Sequence, residues 1–240
     1  MNGTTKAVCL LAALILLFTA GTAEAGMKRG SRGDEVVELQ RQLIDVGALD
    51  GEADGVFGKK TEKAVKSLQA MWGFRQTGRT NDDFMNELMY LWHAVTGTAM
   101  ESGADMRDGK RSVTKCGFRE DSVTAGMEYC WRHGEMSYLR QNYVDRKNMP
   151  EGVRKALWRR IRDLNLEYIR QMYDEWEKKL PKSSKAKARN ARNGFEEIYA
   201  EAAPDLAEAN GPGTVKALRS EAEWLEKRMV QLCSELHGGR

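Results

Sequence analysis

Four side chains in the first half of this sequence carry groups suited to holding a polar ligand. Gln40 and Gln69 offer amides, Arg75 a guanidinium and Trp72 a flat aromatic face. Amides and guanidinium pair with the amides and carboxylates of a ligand, and an indole adds a stacking surface. A second set, Gly33, Gly47, Asp54, Gly55, Phe57, Gly58 and Thr61, points to backbone geometry and packing. Glycine enters left-handed conformations without a steric penalty, an aspartate bonds its own turn, and a phenylalanine fills a core. Thr61 is placed to start a helix. For each of the four polar candidates a structural use is the competing reading.

Groups for bond-breaking chemistry are sparse. A zinc site needs clustered ligands, whereas His93, His133 and His237 are scattered and no C-x-x-C pair occurs. No metal and no cofactor is expected. Cys130 and His133 share a helical face, but the Trp and Tyr residues around them suit a disulfide or a core thiol better than a nucleophile. Glu128, Glu167, Asp174, Glu197 and Glu223 could pair as the carboxylates of a glycosidase. All five lie in helical stretches where acids and bases interleave, which favours a solvated face, and no motif frames them. The expectation is a protein that is not an enzyme.

Residues 1–25 read as a secretory signal: Lys6, an apolar run from Ala7 to Ala20, and Ala23-Glu24-Ala25 before Gly26. At about 1.5 Å per residue that run reaches about 21 Å, short of the roughly 30 Å hydrocarbon core of a bilayer. Cleavage and export to the periplasm or cell wall follow, with no membrane attachment afterwards. Cys9 sits inside the apolar run, which argues against a lipoprotein. The chain's net charge is +3, with bases and acids interleaved, so no nucleic-acid partner is expected. Removing Cys9 leaves Cys116, Cys130 and Cys233, an odd number in an oxidising compartment. One disulfide and one thiol is the minimal outcome. Pairing of Cys116 with Cys130, or of Cys233 with either, stays open.

The elements that position the candidates come next. Val36, Leu39, Leu43 and Val46 form a helical stripe over 34–46, which Gly47 ends. Asp50-Gly51 and Asp54-Gly55 make turns, and a second helix spans 59–71 with Ala64, Val65, Leu68 and Trp72 inward. Thr80 or Asn81 caps a third helix through Phe84, Leu88, Leu91 and Val95.

Gly30-Ser31-Arg32-Gly33-Asp34-Glu35-Val36, Leu39-Gln40, Leu43, Gly47, Asp54-Gly55-Val56-Phe57-Gly58, Thr61, Ala64-Val65 and Gln69 together resemble the peptidoglycan-binding type 1 domain over residues 27–88. The resemblance implies a three-helix fold and recognition of cell-wall glycan and peptide. Gln76-Thr77-Gly78 departs from it, standing where an aspartate-glycine turn is common.

Residues 97–111 read as a glycine-containing linker, and 112–240 as an antiparallel helical bundle of four helices. The strongest helix carries Val153, Leu157, Ile161, Leu164, Tyr168, Met172 and Trp176 and stops at Pro181. A second carries Ala191, Phe195, Ile198, Ala202 and Leu206, with Pro204 interrupting it, and a third runs from Val215 through Leu236. Cys116, Thr124, Met127-Glu128, Cys130, Leu164-Asn165, Tyr168, Gly213-Thr214 and Lys227-Arg228 resemble the LprI-like lysozyme inhibitors. Trp158, Trp176 and Trp224 are expected to pack. The whole reads as an all-α, non-catalytic envelope protein that binds peptidoglycan through residues 26–96. The bundle would bind another envelope protein or, as in the inhibitors it resembles, a lysozyme-type muramidase; a divergent wall hydrolase is the remaining reading.

Overall fold

The computed structural model describes residues 26–97, 139–144 and 146–237. The expected signal at 1–25, nearly all of the linker, Cys116, Glu128, Cys130, His133 and most of the first bundle helix lie outside these residues.

The described chain is all-α. Helix α1 (Asp34–Asp45) opens after Gly33 with Asp34 and Glu35 in its first turn, where carboxylates meet the positive end of the helix dipole. Its buried side is Val36, Leu39, Gln40 and Leu43. Gly47 ends the helix in the left-handed region (φ 75°), and Ala48 N–H returns to Leu43 O at 2.8 Å. Helix α2 (Lys59–Trp72) ends at a left-handed Gly73, and α3 (Asp82–Thr96) is capped by Asn81, whose Oδ1 accepts from Phe84 N–H at 3.0 Å. No β-strand occurs among the described residues. A single antiparallel bridge, Arg32 with Val56, ties the entry segment to the α1–α2 loop.

In the second half, Arg140–Val144 form a π-helical turn. The Arg154 guanidinium donates to Val144 O at 3.0 Å and Arg146 O at 3.3 Å, fastening this turn to α4 (Glu151–Lys179). At 29 residues, α4 is about 43 Å long. It packs with α5 (Lys185–Asn210) and α6 (Val215–His237) into a bundle whose seam includes Val153, Leu157, Ile161, Leu164, Tyr168, Leu225, Met229 and Leu232. Trp158 is buried with the Arg140 and Arg219 guanidinium groups over its ring, while Trp176 and Trp224 pack half-buried against the core.

Helix α5 is the least embedded of the three, with Ala188 and Phe195 its buried residues. Ion pairs to α4 supplement that small apolar contact. Arg170 meets Glu196 through two bonds of 2.7 and 2.8 Å, Arg192 bonds Asp174, and Arg189 stands 3.8 Å from Glu177. Pro204 does not interrupt α5 as expected. The helix continues to Asn210 because Pro204 and Ala200, whose carbonyl loses its donor, are both exposed to water.

The expected disulfide is also corrected at Cys233, the candidate cysteine that lies among the described residues. Cys233 is a reduced, half-buried thiol on α6, packed against the core, and burial pushes its pKa up.

The two halves share one hydrophobic core. At their junction the end of α1 meets the start of α4. A Cβ on Gly47 would stand 2.5 Å from Gly152 O, and one on Gly152 would overlap the Gly47 carbonyl. Arg146 donates to Met71 O at 3.3 Å near the C-terminus of α2, where a cation suits the helix dipole.

Candidate functional site

Gln40 is 3% exposed, and its amide is spent on the protein itself. Its Oε1 accepts from Gly55 N–H at 2.8 Å, and its Nε2 donates to Asp54 Oδ1 at 2.8 Å, Val56 O at 3.1 Å and Thr61 Oγ1 at 3.2 Å. Asp54 Oδ1 also accepts from Val56 N–H at 2.9 Å. The Gln40 amide, then the Val56 N–H, hold the exposed Asp54 carboxyl below the ordinary carboxylate range.

Gln69 repeats this arrangement on the next turn. Its Oε1 accepts from Gly78 N–H at 2.9 Å, and its Nε2 donates to Arg79 O at 2.8 Å and Thr77 Oγ1 at 3.2 Å. Gly55 and Gly78 share a left-handed conformation, with φ of 70° and 69°. Each glutamine therefore acts as a latch, closing a turn that a helix alone would leave with unsatisfied backbone groups.

The other motif residues follow. Phe57 is in the core, Thr61 is buried beneath Gln40, Gly58 precedes α2, and Gly33 precedes α1 with φ 118°. Of the four ligand candidates, Trp72 and Arg75 are the ones nearest to solvent. Trp72 is partly buried, edge-on to Phe84 at 5.4 Å between centroids and tilted on Phe74 at 6.0 Å, with its indole N–H buried and unbonded. Arg75 is exposed on the turn that Gln69 holds. Arg79 on the same turn is also exposed and was missed in the sequence, although its sign and its position four residues after Arg75 are visible there.

An open groove of about 560 Å³ runs along α4 and gathers Glu167 and Asp174 with Asp163, Arg160, Arg170 and the apolar Leu166. Two of the five candidate carboxylates thus come together. Glu197 is exposed on α5, and Glu223 pairs with Arg219 at 2.7 Å on the surface. Among the described residues no group of His, Cys, Asp and Glu is placed to hold a metal ion.

Residues 32–88 match the family model described as "Putative peptidoglycan binding domain". The N-terminal module is a peptidoglycan-binding domain. Its match stops within α3, and no finding supports the lysozyme-inhibitor resemblance of the C-terminal half. Over 50 residues the chain is 42% identical to the spore cortex-lytic enzyme of Bacillus subtilis. Over 65 residues it is 35% identical to the N-acetylmuramoyl-L-alanine amidase CwlM of Mycobacterium tuberculosis. These stretches are 21% and 27% of this chain, which spans 16% of the length of each relative. No solved structure matches the chain significantly. The expectation that the protein is not an enzyme is overturned by these relatives, one named a lytic enzyme and the other an amidase. A peptidoglycan-binding domain accords with a wall-associated, extracytoplasmic place, and no described helix is long and apolar enough to cross a membrane.

Proposed function

We propose that this protein docks on peptidoglycan through residues 26–96 and takes part in cleaving it, with 97–111 joining this module to the helical half at 112–240. Residues 1–25 would direct it to the periplasm or wall. The observation that carries docking is the match of residues 32–88 to a peptidoglycan-binding domain. Trp72 and Arg75 are the contact residues in this reading, while Gln40 and Gln69 serve the surface by holding its turns. A lytic role is supported by the similarity to the cortex-lytic enzyme and the amidase.

The α4 groove is the place to look for the chemistry. Asp163 and Glu167 are one helical turn apart, about 6 Å in rise, and Glu167 and Asp174 about 10.5 Å. Hydrolysis between two carboxylates requires one to protonate the leaving group while the other activates water or attacks. The guanidinium groups of Arg160 and Arg170 supply positive charge in the same groove.

The test incubates the chain from residue 26 with purified sacculi, then assays the pellet for protein and the supernatant for soluble muropeptides. Pelleting with release, abolished by Glu167→Gln, supports the whole reading. Pelleting without release removes the lytic part, and absence of pelleting removes docking.

A further inference from the structure

The two glutamine latches are one backbone device with different charge at matched positions. Around Gly55 the preceding and following residues are Asp54 and Val56; around Gly78 they are Thr77 and Arg79. The Thr77 hydroxyl takes the place of the Asp54 carboxylate, accepting from Gln69 Nε2 and from Arg79 N–H at 3.2 Å each. A negative charge has left the turn and a positive one has joined it.

We propose that the turn Arg75–Arg79 sets the specificity of the docking surface by recognising the free carboxylates of peptidoglycan peptide stems, an inference that rests on the wall-docking reading above. Both arginines are exposed, and neither has an ion-pair partner among the described residues. Glu62 lies against the turn, with its side chain 2.8 Å from where a Cβ on Gly78 would stand. It is already committed to Lys66 at 2.7 Å and Arg29 at 3.9 Å. Asp82 and Asp83 lie past Asn81 in the first turn of α3, facing that helix's own dipole. The turn therefore presents cations that its neighbours do not neutralise.

A guanidinium fork matches the two oxygens of a carboxylate, whereas an uncharged glycan gains little from a pair of cations. The backbone beneath the arginines is fixed in advance. Thr77 N–H donates to Arg75 O at 2.8 Å and Gln69 clamps Gly78 and Arg79, so less ordering is left to be done on binding.

The experiment measures binding of the chain from residue 26 to three wall preparations: untreated sacculi, sacculi whose carboxyls have been converted to amides, and sacculi stripped of phosphate polymers by hydrofluoric acid. Binding about tenfold weaker on the amidated wall, and unchanged on the stripped wall, is expected. Arg75→Ala with Arg79→Ala should lose a similar factor on untreated wall and nothing further on amidated wall, with circular dichroism reporting the fold. Arg79→Lys should fall between, because charge remains and the fork does not. Equal binding to untreated and amidated wall overturns the inference alone. Loss confined to the stripped wall also overturns it and assigns the anion to phosphate. Failure to bind untreated sacculi removes the docking reading together with it.

Discussion

Gly47 and Gly152 meet backbone to backbone, 105 positions apart, where the end of α1 touches the first turn of α4. Gly152→Ala should gain up to about 1 kcal/mol of helix propensity but push a methyl into the Gly47 carbonyl. Overpacking of this kind costs about 1–3 kcal/mol, so net destabilisation is expected. Gly47→Ala should cost more, since its left-handed backbone adds about 1–3 kcal/mol for a residue with a Cβ. Thermal melting of both variants checks the order; a Gly152→Ala protein as stable as the parent would show that the junction gives way.

Gln40→Ala leaves Gly55 N–H and Val56 O without their buried partner, and a loss of about 2–3 kcal/mol is expected from urea unfolding. Gln40→Glu is the sharper variant. It keeps an oxygen for Gly55 N–H but turns a second oxygen toward Asp54, so its deficit should shrink when the pH is lowered enough to protonate either carboxyl. A deficit independent of pH would contradict the geometry.

Asp54 predicts an acid limb of stability. Its carboxyl is lowered from 3.8 in the folded chain, so the folded state binds this proton more weakly than the unfolded one. Its contribution is complete above the unfolded value and disappears as pH falls through the lowered folded value. Glu62 and Glu196 are lowered too, by Lys66 and Arg170 respectively, and add to the same limb. Asp54→Asn should flatten part of the slope of melting temperature against pH below about 4 and leave the neutral region shallow.

Cys233 should alkylate with iodoacetamide more slowly than a small-molecule thiol at pH 8, because desolvation by the bundle disfavours the thiolate. Denaturant should restore the ordinary rate. Peptide mapping without reductant should recover Cys233 outside any disulfide; a bridged Cys233 peptide would refute the packing described for α6.

Periodicity revealed the helices because Val36, Leu39 and Leu43, or Leu218, Ala222 and Leu225, reach one core from a single face. It was silent on the glutamines. Gln40 and Gln69 have the types of ligand contacts, and their use as latches depends on turns 15 and 9 residues away that fold back onto them. The pairing of Gly47 with Gly152 is equally invisible along the chain, since a helix-stopping glycine looks the same whether or not a second backbone lies against it. Cysteine parity left Cys233 open as a bridge partner because it counts thiols without measuring where they lie. The groove carboxylates Glu167 and Asp174 were legible as acids at seven-residue spacing, whereas the concavity that gathers them belongs to the assembled bundle.

The ion pairs between α4 and α5 also determine register. Along α4 the charges run positive, negative, negative at Arg170, Asp174 and Glu177, and α5 answers with Glu196, Arg192 and Arg189. Sliding α5 by one turn in one direction would set Glu196 opposite Asp174; sliding it the other way would set Arg192 opposite Arg170. Either slip replaces attraction with repulsion at the place where the sign changes. A helix with little apolar contact thereby has one alignment on its neighbour, chosen by the order of its charges.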